Sequence, residues 1–125
     1  MTSHSEADLK LEELADQIKS VGNRLEPIEE LVETRKWDQR AFLPNRPRIG
    51  TTIRIGHASE TKIAMYVHCQ TTLIDTYRSL FPHLTFQGSR AIVFDVHSPL
   101  PKKELDMCIE AALLYHYHKK KTRNS

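Results

Sequence analysis

Apolar residues near the N-terminus recur at the spacing of a single helix face. The stripe has steps of three, four and three positions and comprises Leu11, Leu14, Ile18 and Val21. Such steps bring side chains to one side of an α-helix, so the pattern predicts a helix over residues 6–20. Gly22 and Asn23 tolerate left-handed backbone and predict the end of this helix.

The same spacing continues beyond this helix through Leu25, Ile28 and Val32. Pro27 interrupts it, because proline removes a backbone donor and clashes with the preceding turn of a helix. Proline suits the first turn of a new helix, and we therefore predict a second helix over residues 27–36. The apolar stripe from Leu11 to Val32 is longer than one short helix needs. Because exposed apolar stripes usually bind a partner, this length predicts a homodimer through the N-terminal helices.

The rest of the chain predicts strands and two further helices. Residues 38–50 contain prolines and a glycine and are predicted to form a loop. Apolar and polar positions alternate in residues 51–56 and 62–68, which predicts two strands. Residues 84–87 and 90–96 are predicted to form a second hairpin around Gly88 and Ser89, and the consecutive apolar residues 92–94 suggest a strand buried on both faces. Helices are predicted over residues 72–81 and after Pro101. The order ααββαββα predicts an α+β fold, an antiparallel sheet of four to five strands with helices packed mainly on one face.

Composition predicts one globular domain, with 125 residues of which 39% are hydrophobic and 27% charged. No apolar run approaches the ~20 residues of a membrane span, and the polar N-terminus is unlike a secretory signal. Two cysteines do not make a disulfide framework. We therefore expect a cytoplasmic protein with no membrane partner and with both thiols free.

The net charge of +2 conceals a marked asymmetry. Residues 1–34 carry nine acids and three bases, whereas residues 35–125 carry fifteen bases and seven acids. Charge of this kind concerns solubility and partners rather than fold. Two interpretations stay open: the acidic helices dock on the basic half of the same molecule, or the basic half meets an external polyanion.

The chain from Glu33 onward resembles the YdhG-like family of small bacterial domains of unknown function. The resemblance is carried by these residues and segments: Glu33, Lys36-Trp37, Phe42, 53–55, 64–68, 88–94 and 105–115. It implies a compact sheet backed by helices, a bacterial cytoplasmic origin and no established activity. The whole chain would then be one domain, with a helical extension over residues 1–26, a family core over 27–119 and a basic tail over 120–125.

The strongest candidate for a binding site is the side of the sheet that the helices leave bare. Alternation places Arg54, Tyr66 and His68 there, and Gln87 and Arg90 extend the set. A cation, a phenol and an imidazole can hold a small anionic ligand or an acidic segment of a partner protein. An ordinary solvated antiparallel face would also carry polar residues.

Trp37 and Phe42 are expected to shape the rim of this surface. They flank a basic stretch that comprises Arg35, Lys36, Arg40, Arg46 and Arg48. Aromatic and cationic residues together can bind nucleic acid, but no recognisable nucleic-acid motif accompanies them. The sequence therefore argues against a nucleic-acid partner, and Trp37 also suits the edge of the core.

The resemblance adds an alternative function, because some members of the family are described as frataxin-like iron chaperones. Asp8, Glu12 and Asp16 share one side of the first helix, and iron accepts oxygen ligands. Acids near the start of a helix also stabilise its dipole. The alternative to a binding module without a cofactor is thus an intracellular iron chaperone that uses these three carboxylates.

No pattern in the sequence supports catalysis. His68 and Cys69 are adjacent in a predicted strand and so point to opposite faces. Cys69 and Cys108 both fall in apolar patterns, which predicts buried and unreactive thiols. His116 and His118 are two positions apart and lie on different sides of a helix. A binding module that performs no reaction is therefore the main hypothesis, and an enzyme remains open.

Overall fold

A computed structural model describes residues 6–28, 30–36, 39–45, 49–68 and 71–117 of the chain. Three helices and six strands follow one another in these segments: α1 (Glu6–Arg24), β1 (Leu31–Lys36), β2 (Gln39–Pro44), β3 (Ile53–Ser59), β4 (Lys62–Tyr66), α2 (Leu73–Leu80), β5 (Thr85–Gln87), β6 (Ala91–Asp95) and α3 (Lys102–Leu113). The strands form one antiparallel sheet in the order β1-β2-β3-β4-β6-β5. The predicted α+β class is confirmed, with six strands in place of four to five.

Two predictions about the segment after α1 are wrong. Residues 27–36 were expected to be helical, but Leu31–Lys36 forms the edge strand β1. Residues 38–50 were expected to be a loop, but Gln39–Pro44 forms β2 and pairs with β1 along its whole length. Proline is tolerated at the end of a strand, where Pro44 lies, so the prolines did not exclude a hairpin. The observed order is αββββαββα.

The strand register separates the two faces of the sheet. Ile53 and Ile55 of β3 are buried in the hydrophobic core, and Ile63 and Met65 of β4 join them there. The buried apolar side chains of all three helices belong to this same core. Because side chains alternate along a strand, the residues between these positions lie on the other side. We call the two sides the helix-covered face and the helix-free face.

The apolar stripe of α1 is used within the chain. Leu14, Ile18 and Val21 have no exposed surface, and Ile28 beyond the helix is equally buried. The helix packs on α3 and across β1 to β4. The part of the stripe that lies on α1 and at Ile28 is therefore already covered, although Val32 is exposed, and the homodimer through the N-terminal helices stays a prediction. In the described part of the chain no helix combines the length and apolar content needed to cross a bilayer.

The segment before β3 is held against the end of α3 by backbone contacts. The Thr51 amide donates to the Ala112 carbonyl oxygen at 2.9 Å, and the Tyr117 amide donates to the Ile49 carbonyl oxygen at 2.8 Å. A Cβ atom on Gly50 would lie 1.9 Å from the carbonyl oxygen of Leu113. Only glycine permits this approach, so Gly50 joins the end of α3 to the start of the central strands.

We expect Gly50→Ala to lower the free energy of unfolding by about 3 kcal/mol, because the new methyl group must displace backbone rather than a flexible side chain. Gly88→Ala is the matched control. Gly88 has a φ of 58° but open space around its Cβ position, so only roughly 1 kcal/mol of backbone strain is expected there. Urea denaturation of both variants measures the difference, and equal losses would contradict the close approach at Gly50.

Candidate functional site

Arg54 and Tyr66 are direct cross-strand neighbours on the helix-free face. The register pairs Arg54 of β3 with Tyr66 of β4, and the same row continues to Ala41 on one side and to Ala91 and Gln87 on the other. Both side chains are half-buried and Gln87 is exposed. The predicted common face of Arg54 and Tyr66 is confirmed, while their role in binding stays a prediction.

The residues around this pair are small and fully buried. Ala41, Ala64, Ala91 and Gly56 occupy the helix-free face, but water does not reach the three alanines. Around Gly56 the cover is visible, because the amide nitrogen of Gln39 lies 3.0 Å from the position of an added Cβ. We attribute the burial of the alanines to the long side chains beside them in the sheet. This part of the helix-free face therefore consists of small buried residues with a few longer polar residues between them.

His68 and Arg90 lie at the end of the row, beyond the strands. The Val67 amide donates to the Arg90 carbonyl oxygen at 2.8 Å, which extends the β4–β6 pairing by one position. Val67 is buried in the core, so alternation places the exposed His68 on the side of Tyr66. Arg90 is exposed in the turn after Gly88, opposite Val67 rather than Tyr66. The pairing therefore gives no support for Arg90 on the same face as Arg54.

The expected aromatic rim does not form as the sequence suggested. Phe42 pairs with Ile53, has no exposed surface and belongs to the core on the helix-covered face. Its assignment as a ligand-binding residue is corrected, because the hairpin of β1 and β2 turns it towards the helices. Trp37 lies outside the described residues, as do Arg46 and Arg48 of the basic stretch.

The acidic side of α1 contacts basic groups of the same chain. Asp8 lies 2.9 Å from the Nε2 atom of His57, and the Nη1 atom of Arg40 donates to Glu12 at 2.8 Å. Asp16 is exposed. No group of three or more histidine, cysteine or acidic residues within the described segments could hold a metal ion. These contacts favour docking of the acidic helix on its own sheet over iron binding by Asp8, Glu12 and Asp16.

Arg40 is the centre of this docking, and sequence analysis had placed it only in a basic loop. Its Nε atom donates to Glu33 at 2.7 Å, and its guanidinium carbon lies 5.7 Å from the centre of the Phe42 ring. Lys19 contacts the same Glu33 carboxylate at 3.2 Å. The hydrogen bond from Arg40, together with the charge of Lys19, holds the pKa of Glu33 below its ordinary value. Polar and apolar residues do not alternate in Gln39–Pro44, and prolines lie nearby, so no local pattern predicted this strand or the position of Arg40.

Cys108 is buried, as predicted. Burial raises the pKa of its thiol to about 12, so the nucleophilic thiolate is scarce at neutral pH. The hydroxyl of Tyr77 donates to the Cys108 carbonyl oxygen at 2.6 Å and joins α2 to α3. Cys69 and His118 lie outside the described residues.

Comparison of the chain with protein-family models, with curated proteins and with solved structures finds no match in any of the three. The resemblance to the YdhG-like family therefore stays a prediction from sequence, and the geometry of the described residues carries the functional argument.

We expect Arg40→Gln to lower the free energy of unfolding by roughly 1 kcal/mol at pH 7, the upper range for exposed ion pairs. Because the pKa of Glu33 is depressed in the folded chain, its contribution is present above its unfolded pKa and is lost as pH falls through its lower folded pKa. The difference between the variant and the parent should therefore shrink below about pH 4.5. Urea denaturation at several pH values measures it, and a difference constant down to pH 2 would exclude the ion pair as its source.

Proposed function

We propose that this chain is a binding module, without catalytic activity of its own, that recognises an anionic group through the helix-free face of its sheet. The anionic group belongs to a small ligand or to an acidic segment of a partner protein. The observation that carries the proposal is the direct pairing of half-buried Arg54 with half-buried Tyr66 on a face that no described helix covers.

The chemistry of the pair suits an oxyanion. The guanidinium of arginine presents a planar set of donors that matches a carboxylate or a phosphate in two hydrogen bonds. The hydroxyl of Tyr66 is a further donor, within reach of the same ligand because directly opposed side chains in a sheet are only about 5 Å apart at Cβ. Gln87 lies in the same row beyond Ala91 and supplies an amide. Together these groups offer several donors to one acceptor.

Half-burial of the pair strengthens the case. A side chain that lies along the sheet has already lost part of its rotational freedom, so less entropy is lost when a ligand binds. Partial removal from water also raises the strength of a charge-assisted hydrogen bond. A solvated lysine at the tip of a loop has neither advantage. The direct neighbours of the pair in its row, Ala41 and Ala91, are small, which leaves room for the two longer side chains beside them.

The distribution of charge points the same way. Residues 35–125 carry eight more bases than acids, and carboxylates of α1 contact two of these bases, Arg40 and Lys102. Both contacts are made by α1, which packs on the helix-covered face. The remaining excess of positive charge favours the approach of an anion.

Titration of isotope-labelled protein with inorganic phosphate and with a glutamate-rich peptide, followed by NMR, tests the proposal. We expect shifts in the amide signals of Arg54, Tyr66 and Gln87 on addition of at least one probe. Arg54→Ala should weaken that binding about tenfold or more, because one charge-assisted hydrogen bond is worth roughly 1.5–3 kcal/mol.

Lys103→Ala is the matched control, since it removes the same charge from an exposed position on α3. Tyr66→Phe isolates the hydroxyl and should cost less than the loss of Arg54. Equal weakening by Arg54→Ala and Lys103→Ala would mean that net charge alone attracts the probe. That result, or shifts confined to the helices, would refute a site on the helix-free face.

A further inference from the structure

The sheet has two edge strands of very different character. At one edge, β5 has only three residues, which gives another strand little to pair with. At the other edge, β1 has six residues and pairs with β2 in an unbroken register from Leu31 to Lys36. Val32 of β1 is one of the few large apolar residues with an exposed side chain, at 38%. A long and regular edge of this kind is a template for a further strand.

We infer that β1 is a self-association surface, on which β1 of a second copy of this chain pairs in antiparallel orientation about a two-fold axis at Thr34. The argument rests on the order of charges along the strand. Glu33 and Arg35 lie on either side of Thr34. An axis at Thr34 therefore places Glu33 opposite the partner's Arg35, and Arg35 opposite the partner's Glu33.

Symmetry leaves few other registers. A two-fold axis perpendicular to the sheet keeps each side chain on its own face, so residues of the same face lie opposite each other across two antiparallel edge strands. The axis must therefore pass between the two copies of one residue, which lie opposite each other. An axis at Glu33 would set Glu33 against the partner's Glu33, and an axis at Arg35 would set Arg35 against the partner's Arg35. Like charges directly opposite each other in a sheet are destabilising. Of these three central registers, the one at Thr34 alone pairs opposite charges, and it pairs them twice.

The intramolecular contacts of Glu33 are compatible with this pairing. Glu33 lies on the helix-covered face, where Arg40 and Lys19 already contact its carboxylate. The partner's Arg35 would approach the Glu33 carboxylate from the neighbouring strand. The ion pairs of Glu33 with Arg40 and Lys19 would then extend from one chain to the other. Val32 and Thr34 lie on the helix-free face, so no charged partner group is needed at the axis itself.

The same charges make the edge selective. A strand that lacks an acid and a base in this order would place an unmatched charge against Glu33 or Arg35, which lowers its affinity. A second copy of this chain carries the matching order by symmetry. Pairing through one strand buries a limited area, so we expect a weak, concentration-dependent dimer. In that dimer the two sheets join into one of twelve strands, with both sets of helices on the same side.

Sedimentation equilibrium over a range of concentrations tests the inference on the full chain. The parent protein should show a reversible monomer–dimer equilibrium. Arg35→Glu should weaken dimerisation about tenfold or more, because two attractive pairs become two repulsive ones. Lys103→Glu, an equal reversal on the exposed surface of α3, should leave the equilibrium unchanged.

A charge-swap experiment separates this register from other modes of association. Glu33→Arg should also weaken the homodimer, and circular dichroism has to confirm that this variant folds, since it loses the contacts with Arg40 and Lys19. A mixture of the Arg35→Glu and Glu33→Arg chains should form a heterodimer tighter than either homodimer, because opposite charges then meet at both positions. Arg35→Glu retains Glu33, Arg40 and Lys19, and circular dichroism checks its fold as well, so this variant tests the inference even where Glu33→Arg does not fold.

A parent protein that stays monomeric up to its solubility limit, or a dimer that Arg35→Glu does not weaken, would overturn the inference. Neither outcome bears on anion binding, since Arg54 and Tyr66 belong to the central strands β3 and β4. Conversely, loss of phosphate or peptide binding in the Arg54→Ala variant should leave the dimer intact.

Discussion

The packing of α1 across the sheet is the constraint on which the rest of the structure depends. The apolar stripe of this helix covers one face of strands β1 to β4 and also contacts α3. Polar groups on its two flanks complete the docking. One flank contacts the sheet through the hydrogen bond between Asp8 and His57 and through two ion pairs, Glu12–Arg40 and Lys19–Glu33. The other contacts α3, where the buried amide of Gln17 donates to the Lys102 carbonyl oxygen and to Asp106.

Once α1 occupies this position, the two faces of the sheet differ in composition. The helix-covered face holds the large apolar residues of the core, whereas the helix-free face holds small residues beside Arg54 and Tyr66. If the helix-free face binds an anion as we propose, stability and recognition belong to opposite faces of one sheet. A change at Arg54 is expected to alter binding with little effect on the core, because its neighbours in the row are not part of the core cluster.

The same docking also explains the uneven charge of the chain. An acidic N-terminal segment and a basic remainder would each attract foreign partners if they were apart. In the folded chain the carboxylates of α1 lie against basic side chains of the sheet and of α3. Exposed pairs of this kind contribute little energy singly, but they orient the helix on the sheet. We propose that an anion binds on the opposite face of the sheet, at Arg54.

Much of the fold could be predicted from local patterns, because helix and strand periodicities are properties of neighbouring residues. The sequence by itself determined α1, the strands β3, β4 and β6, the turn at Gly88, the final helix and the common face of Arg54 and Tyr66. It could not reveal the hairpin of β1 and β2. Pro27 was consistent with the first turn of a helix, and Pro44 was consistent with a loop as well as with the end of a strand.

Tertiary structure alone decided which face each residue of that hairpin occupies. Phe42 belongs to the core and Arg40 to the docking of α1 because β2 pairs with β3 in one particular register. The burial of the alanines around Arg54 likewise depends on neighbours in other strands. Such contacts join residues that are distant along the chain, and their pairing is set by packing of the whole sheet against α1, which no local window of sequence contains.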